Sequence, residues 1–282
     1  MYTKYLKHLY QVNHNMKKGI DKNQRKYKIL QSIIEIFVST ATPVGSKFLK
    51  EKAEIDLSPA TLRNEMVKLE QEGFLMQSHI SSGRIPTDKA YRFLVDTIDI
   101  SPVQEESFKN EFNTVALQYF QKKQADQNVY DIVSILSELT PNIAFATIPS
   151  SEKMFFLGLS QMIMQNEFAS EAQDMSGVFK VLEEDLHTFL SSLNIKKTKK
   201  LTSQTCENNS EFNTNANLCE IYDIELFIGH ENILSGIDSC SLIVSKTKDG
   251  EYFGILGPVR MNYSRNIIAM KEAQKLFTQL NI

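Results

Sequence analysis

The chain has 282 residues, of which 42% are hydrophobic and 23% are charged, and its formal net charge at pH 7 is −3. This is the composition of an ordinary soluble globular protein with room for two or three small domains. The sequence contains no apolar run approaching the ~18 residues of a membrane span, and its Lys-rich start lacks a signal-peptide core. Three scattered cysteines are too few for a disulfide framework or a metal knuckle. We therefore expect a cytoplasmic protein that makes no contact with a membrane.

The net charge hides an asymmetry along the chain. Residues 1–100 carry 16 Lys and Arg against 11 Asp and Glu, a net charge of +5, whereas the remaining residues carry 15 against 23, a net charge of −8. Four of the six arginines also lie in the first hundred residues. Because the guanidinium group binds phosphates and guanine edges, this distribution favours a nucleic-acid-binding segment joined to a different module.

The first part of the chain predicts an arm and three helices. Residues 1–21 are polar and basic, and we interpret them as a flexible arm. Apolar residues at helical spacing predict a helix from residue 23 to about residue 40, which Thr42-Pro43 ends. A short second helix is expected to open with Ser46 as its N-cap. A third helix is expected to open with Ser58 as its N-cap and Pro59 at its first position, and to stop at Gly73.

A small hairpin is predicted after the third helix. Residues 74–78 predict a short strand, and residues 80–84 predict a tight exposed loop. The chain returns at Ile85, and a further helix is expected from Pro86 to Val95. Three helices followed by a hairpin are the order of a winged helix-turn-helix, which we assign to residues 22–98.

The rest of the chain predicts a second module of helices and strands. Ser101-Pro102-Val103-Gln104 resembles a capping box that opens a helix to about residue 123, and we interpret residues 99–125 as a linker or dimerisation helix. Residues 152–165 are apolar but ambiguous between strand and helix, and residues 196–217 predict a polar loop. The other predicted elements are helices at 130–139, 178–193 and 264–280 and strands at 143–148, 221–228, 239–246 and 252–256, the last two joined by a hairpin turn at 248–251.

The outer face of the third helix is the first candidate for contacts with a nucleic acid. Thr61 and Asn64 can reach base edges, and Arg63 can bind guanine or a phosphate. Lys68 lies on the same face and suits a phosphate. The start of the helix, after Ser58, can direct backbone N–H groups at a phosphate. The alternative for this face is the exposed polar surface of a small helical bundle.

The hairpin loop is the second candidate. Arg84 follows small residues and suits a narrow minor groove, whose negative potential attracts a guanidinium. His79 can contact a phosphate, although a lone exposed His more often has no such role. Together the helix and the loop favour DNA binding. The predicted DNA contacts are Ser46, Ser58, Thr61, Arg63, Asn64, Lys68, His79, Ser82, Arg84 and Arg92.

The sequence carries no recognisable catalytic motif. It has no phosphate-binding Gly-rich loop, no His-Glu-x-x-His, no Cys-x-x-Cys and no nucleophile elbow. His187 beside Glu183 and Glu184 is interpreted as part of a solvated helix face, and Cys219 and Cys240 as small buried hydrophobes. We therefore expect neither an enzyme nor a bound cofactor or metal.

Several motifs of the chain resemble those of the heat-inducible transcription repressor HrcA family. They extend from about residue 25 to the C-terminus. The matching blocks are Pro43-Val44-Gly45-Ser46; Leu57-Ser58-Pro59-Ala60-Thr61-Leu62-Arg63-Asn64-Glu65-Met66 with Leu69-Glu70 and Gly73; Ser81-Ser82-Gly83-Arg84-Ile85-Pro86-Thr87-Asp88-Lys89-Ala90-Tyr91-Arg92; Gln165-Asn166-Glu167-Phe168; Ile228-Gly229-His230-Glu231-Asn232; Cys240-Ser241-Leu242; and Gly257-Pro258-Val259-Arg260-Met261-Asn262-Tyr263.

The resemblance implies a dimeric repressor of the α+β class. Its winged helix would bind an inverted repeat upstream of chaperone operons, and a GAF-like α/β domain, here residues 126–282, would follow. It also implies that the chaperonin keeps the repressor active, so that misfolded clients occupying the chaperonin on heat shock release transcription. The family has an inserted dimerisation domain, but residues 147–157 pass almost directly from one strand to Gly158-Leu159-Ser160. We therefore expect that domain to be reduced or missing.

Two other functions are compatible with the sequence. A small molecule bound in the C-terminal domain could gate the DNA affinity of a winged-helix regulator. An enzyme with a DNA-binding head is the other alternative, and the absence of a nucleophile, base and metal set argues against it.

Overall fold

The structure is a computed structural model, and it divides the chain into two compact units, Met1–Leu94 and Val95–Ile282. Helices combined with antiparallel sheets confirm the predicted α+β class. The predicted arm at 1–21 and polar loop at 196–217 lie outside the described residues. The residues that the structure describes are 22–53, 55–77, 83–121, 128–148, 153–165, 168, 172–193 and 224–280.

The first unit contains helices and a two-stranded sheet in the predicted order. Two predicted details are wrong. Ser46 is the first residue inside its helix rather than the N-cap, because the carbonyl of Gly45 already accepts the helical hydrogen bond from the Leu49 amide at 2.8 Å. Pro86 pairs with Leu75 in the sheet, so the next helix starts at Asp88. The elements are α1 (Lys22–Thr40), α2 (Ser46–Ala53), α3 (Pro59–Gln71), β1 (Leu75–Met76), β2 (Ile85–Pro86) and α4 (Asp88–Asp96).

Helix α3 is fixed at both ends by its own sequence, as predicted. Ser58 has extended backbone dihedrals, and its hydroxyl accepts a hydrogen bond from the Thr61 amide at 3.1 Å. At the other end Gly73 has a φ of 78°, and the Phe74 amide donates to the carbonyl of Leu69 at 2.9 Å. This is the Schellman arrangement, in which a left-handed glycine lets the chain turn back and satisfies the last carbonyls.

The core of the first unit joins its helices through apolar contacts. The rings of Tyr27 on α1 and Phe93 on α4 stack with centroids 4.6 Å apart, and the ring of Phe74 meets Phe93 edge-on at 5.6 Å. Aromatic pairs in these geometries add to the stabilisation that comes from buried area. The fully or nearly fully buried aliphatic side chains are Ile29, Leu30, Ile33, Ile34, Val44, Leu49, Leu62, Met66, Leu69, Leu75 and Ala90.

Glu35 on α1 is a half-buried carboxylate, and it gives the first unit a predictable dependence on pH. Burial raises its pKa above the ordinary value of 4.5, and the hydrogen bond from Gln31 at 3.0 Å lowers it by less. Because the folded pKa lies above the unfolded one, ionised Glu35 lowers stability at pH 7, and this loss disappears as the pH falls below about 4.5. Glu35→Gln should raise the urea midpoint slightly at pH 7 and leave it unchanged at pH 4.

The control for this prediction is Glu51→Gln, at an exposed carboxylate on α2. It should leave the urea midpoint unchanged at both pH values. Equal midpoints for Glu35→Gln and the wild type at pH 7 would contradict the assignment of a destabilising charge to Glu35.

The second unit is built on a five-stranded antiparallel sheet, whose strands lie side by side in the order Met154–Leu157, Ile143–Thr147, Tyr252–Pro258, Cys240–Lys246 and Ile224–Ile228. The ambiguous stretch at 152–165 contains a strand followed by a short helix. A π-helical turn over Val181–Asp185 joins two of the helices. The elements are α5 (Pro102–Phe120), α6 (Asn128–Leu139), β3 (Ile143–Thr147), β4 (Met154–Leu157), α7 (Leu159–Ile163), α8 (Ala172–Lys180), α9 (Leu186–Ser192), β5 (Ile224–Ile228), β6 (Cys240–Lys246), β7 (Tyr252–Pro258) and α10 (Tyr263–Gln279).

Helices cover both faces of this sheet. On β7, Tyr252 belongs to a cluster that includes Val181 and Leu186 near α8 and α9. The next residue, Phe253, places its ring 4.4 Å from that of Phe277 on α10. Since successive side chains of a strand point to opposite faces, the two helix layers lie on opposite sides. This explains why the central strands are continuous apolar runs rather than alternating ones. Cys240, at the start of β6, is fully buried as predicted.

Helix α5, which we predicted to be a linker or dimerisation helix, packs into the second unit. Its capping box is confirmed, since the Gln104 amide donates to the Ser101 hydroxyl at 3.2 Å and the Ser101 amide to the Gln104 side chain at 3.4 Å. The Arg265 guanidinium of α10 lies 2.7 Å from Glu111 and 4.6 Å from the centroid of the Phe108 ring. One face of α5 is therefore part of the core of this unit.

Candidate nucleic-acid interface

Helix α3 separates an apolar face from a polar one. Leu62, Met66 and Leu69 are buried at the i, i+4, i+7 spacing. Arg63, Asn64 and Lys68 are exposed, and Thr61 is half-buried. The predicted polar face therefore exists, on a helix whose orientation is fixed by its buried side.

Arg63 and Asn64 have side-chain donors available to a ligand. Neither side chain forms an ion pair or a side-chain hydrogen bond with any residue in the described part of the chain. A guanidinium binds guanine O6 and N7 with two hydrogen bonds, and a carboxamide can do the same with adenine N6 and N7. These two adjacent side chains can therefore make the contacts that distinguish one base pair from another.

Lys68 is exposed but is held by a neighbouring carboxylate. Its Nζ lies 2.9 Å from Glu65 Oε1, and the guanidinium of Arg25 on α1 lies 3.8 Å from the same oxygen. The Glu65 side chain is only 9% exposed, whereas that of Lys68 is 56% exposed. Sequence reasoning missed both Glu65 and Arg25. The spacing of Glu65, three residues before Lys68, was the available signal for one of them.

The first turn of α3 offers less to a phosphate than predicted. The Ser58 hydroxyl caps the helix and lies 2.9 Å from the Thr61 hydroxyl. The Thr61 amide is already bonded to Ser58, and Pro59 has no N–H. The amide of Ala60 is therefore the group of this turn that can point at a phosphate.

Arg84, the predicted contact of the hairpin loop, is turned toward the protein. Its Nε donates to Glu70 Oε2 on α3 at 2.9 Å, and its side chain is 16% exposed. Its backbone forms an isolated antiparallel bridge with Val44, with both N–H···O distances at 2.9 Å. These contacts give Arg84 a role inside the first unit that the sequence did not reveal, and its contact with DNA stays a prediction.

The other predicted contacts are more scattered. Ser46 is half-buried in the first turn of α2, and Arg92 is half-buried on α4. His79 and Ser82 lie outside the described residues. The structure thus brings Ser58, Thr61, Arg63, Asn64 and Lys68 together on one helix, which makes α3 the centre of the candidate interface.

The described residues show neither a candidate metal site nor a candidate membrane-spanning helix. These residues contain no group of three or more His, Cys, Asp or Glu side chains placed to hold a metal ion. None of their helices is both long enough and apolar enough to span a bilayer.

Comparison with known protein families decides the family of the chain. Residues 97–267 match the family model described as the HrcA protein C terminal domain. The chain belongs to the HrcA family. The match starts at residue 97 and therefore covers the second unit rather than α3.

Individual HrcA relatives match different shares of the chain. The heat-inducible transcription repressor HrcA of Chloroflexus aggregans is 36% identical over 150 residues, which cover 52% of this chain and 38% of the relative. The HrcA of Moorella thermoacetica is 26% identical over 332 aligned positions, which cover 88% of this chain and 95% of the relative. The first of these alignments thus spans well under half of the relative's length. The second runs over more positions than this chain has residues, so that relative has segments with no counterpart here.

One solved structure is similar over nearly the whole chain. It is described as "Crystal structure of a hypothetical protein at 2.2 A resolution", and it covers 93% of this chain and 100% of its own. The TM-score is 0.59 at 16% sequence identity, a likeness of fold.

Proposed function

We propose that this HrcA-family chain is a transcription repressor that binds operator DNA through a winged helix-turn-helix in its first unit. The observation that carries the proposal is the pair of exposed, unpaired donors on α3, Arg63 and Asn64, on a helix capped at both ends. The order α1, α2, α3 and the β1–β2 hairpin is that of a winged helix, whose recognition helix enters the major groove. The net charge of +5 in the first hundred residues supplies the attraction to phosphate.

We propose that the regulated genes are heat-shock chaperone operons. Similar relatives bear the name heat-inducible transcription repressor HrcA, which supports this choice. In this account the repressor acts by occupying an inverted repeat as a homodimer in the cytoplasm, and it is active while the chaperonin maintains it. Clients that occupy the chaperonin on heat shock then release transcription. No catalytic step and no cofactor are needed.

The second unit is proposed to be a GAF-like interaction module with a reduced inserted domain. Six residues, 148–153, separate β3 from β4, which supports the reduction. A protein without that domain needs another surface to form a dimer. Helix α5 exposes Val103 (79%) and Leu117 (59%) about four helical turns apart, and therefore along one side of the helix.

The dimer proposal predicts the effect of a charge on the outer face of α5. Leu117→Glu should convert the dimer to a monomer in sedimentation velocity, because an unpaired carboxylate would be buried in the interface. Ile233→Glu, at an exposed apolar residue (77%) of a loop in the same unit, should leave the dimer intact. A Leu117→Glu protein that stays dimeric, or a wild type that is monomeric, would refute the role of α5.

Lys68 should contribute charge rather than base recognition. Lys68→Ala is expected to weaken binding to all DNA sequences alike, and to reduce the slope of log affinity against log salt by about 0.9, the value for one phosphate contact. Gel-shift titrations from low to moderate salt measure both effects. The exposed Lys50→Ala on α2 provides a control of equal charge. If the Lys68 variant keeps the wild-type slope, Lys68 does not contact a phosphate.

A gel-shift experiment tests the proposed function. The full chain is titrated onto fragments from upstream of the host's chaperone operons and onto shuffled fragments of equal composition, with and without purified chaperonin. We expect preferential binding to the upstream fragments, which chaperonin enhances and an unfolded client reverses. Equal binding to both sets of fragments would refute sequence-specific repression. An absence of any chaperonin effect would refute only the proposed mode of control.

A further inference from the structure

We infer that Arg84 and Glu70 are positioning residues. Their ion pair fixes the β1–β2 hairpin on α3, the proposed recognition helix, and Arg84 does not contact DNA directly. This inference rests on the proposed function, because it assigns a task within the same interface. It replaces the minor-groove role that the sequence suggests for Arg84.

The side-chain contacts point inward. Arg84 Nε donates to Glu70 Oε2 at 2.9 Å, which is the length of a charge-assisted hydrogen bond. Arg84 is 16% exposed and Glu70 32% exposed, so the pair is partly withdrawn from water. For Arg84 to insert into a groove, the guanidinium would have to leave this carboxylate and turn outward. The Arg84 side chain is therefore oriented to link the hairpin to α3 rather than to contact an external ligand.

The backbone at the same position is also held. The amides of Val44 and Arg84 each donate to the other residue's carbonyl at 2.9 Å. A Cβ atom at Gly83 would lie 2.6 Å from the Val44 carbonyl oxygen, so the chain approaches as closely as only glycine allows. Residues 83 and 84 thus connect three parts of the unit: the hairpin, the connection between α1 and α2, and, through Glu70, helix α3.

A second ion pair on the same helix provides a comparison. Lys26 of α1 places its Nζ 2.9 and 2.7 Å from the two carboxylate oxygens of Glu72, and Lys26 is 14% exposed. The Lys26 side chain is about as little exposed as that of Arg84. The Lys26–Glu72 pair, however, joins α1 to the end of α3 and does not involve the hairpin. Loss of this pair should therefore affect stability without affecting the position of the hairpin.

The two possible roles of Arg84 predict opposite signs for one substitution. If Arg84 were a DNA contact, Glu70 would compete with phosphate for it, so Glu70→Gln would raise operator affinity, and Arg84→Ala would make the salt dependence shallower by about one contact. If Arg84 is a positioning residue, Glu70→Gln loosens the hairpin. Operator affinity then falls by roughly fivefold, the upper range for a partly exposed ion pair, and the salt slope does not change.

The experiment measures operator affinity and salt slope for Glu70→Gln, Arg84→Ala, the double variant and the control Glu72→Gln. We expect both single variants to lose affinity at constant slope, the double variant to lose little more than either one, and Glu72→Gln to bind as the wild type does. Thermal unfolding of each variant confirms that the first unit is folded. A gain of affinity in Glu70→Gln, or a shallower slope in Arg84→Ala, would overturn the inference.

A second measurement on the protein without DNA separates this inference from the proposed function. Amide hydrogen exchange at Val44 and Arg84 should accelerate in Glu70→Gln and stay at the wild-type rate in Glu72→Gln. Unchanged exchange in Glu70→Gln would refute the positioning role even if the chain binds its operator. If amide exchange accelerates in Glu70→Gln but the chain binds no specific DNA, the proposed function is refuted. The role of the Arg84–Glu70 ion pair in holding the hairpin would still stand.

Discussion

Replacing Arg63 by alanine should weaken operator binding by about 1–3 kcal/mol and relax the preference for one base pair of the operator. The guanidinium is exposed on α3 and has no partner among the described residues, so its donors are available for a guanine edge. Alanine is the best helix former, so the loss cannot be attributed to a weakened helix. Competition gel shifts against operators mutated one base pair at a time measure both the affinity and the preference.

The matched control for Arg63 is Gln71→Ala, at another exposed position of α3 for which we predict no contact. It should bind as the wild type does. If Arg63→Ala keeps full affinity and the same base preference, Arg63 does not read the operator.

Gly254→Ala is expected to destabilise the second unit strongly. A Cβ atom there would overlap the carbonyl oxygen of Ile243 on β6 and lie 2.6 Å from the ring of Phe145 on β3. Both neighbours belong to the middle of the sheet and are fully buried, so neither can move aside easily. Overpacking of this kind should lower the free energy of unfolding by about 3 kcal/mol, measured by urea denaturation followed by far-UV circular dichroism.

Two further variants test whether the close packing around Gly254 causes the expected loss of stability. Gly250→Asn lies in the β6–β7 turn and has only the Lys246 side chain at 3.8 Å, so its cost is limited to the backbone strain of a non-glycine residue at a φ of 96° and should be smaller. Combining Gly254→Ala with Phe145→Leu should cost less than the sum of the two single changes, because the smaller side chain makes room. Additive losses, or a wild-type stability for Gly254→Ala, would contradict the packing described for the sheet.

The sequence predicts those features of the fold that short stretches of chain determine. The Ser58-Pro59 start and Gly73 end of α3, the capping box at Ser101 and the buried strand at Cys240 each depend on a few adjacent residues. The start of α2 lies one residue from its predicted position, since Gly45 and Ser46 both suit a helix start. Pro86 suits the first turn of a helix, yet its pairing with Leu75 depends on a tertiary contact that local sequence does not reveal.

The sequence predicts which face of α3 is exposed, but it does not predict the ion pair between Arg84 and Glu70. The helical spacing of Leu62, Met66 and Leu69 determines which side of α3 is exposed, and hence that Arg63 and Asn64 are available. Arg84 and its partner Glu70 belong to different elements, 14 residues apart, so no local pattern reveals their ion pair. Without the fold, Arg84 is a basic residue beside a loop, for which a DNA contact is the simplest interpretation.

The most direct test of the account is a DNase I footprint of the full chain on DNA from upstream of the host's chaperone operons. We predict one protected inverted repeat, whose two halves are equally protected and whose protection is lost at the same positions in Arg63→Ala. No protection, or protection spread evenly along the fragment, would contradict sequence-specific binding through α3.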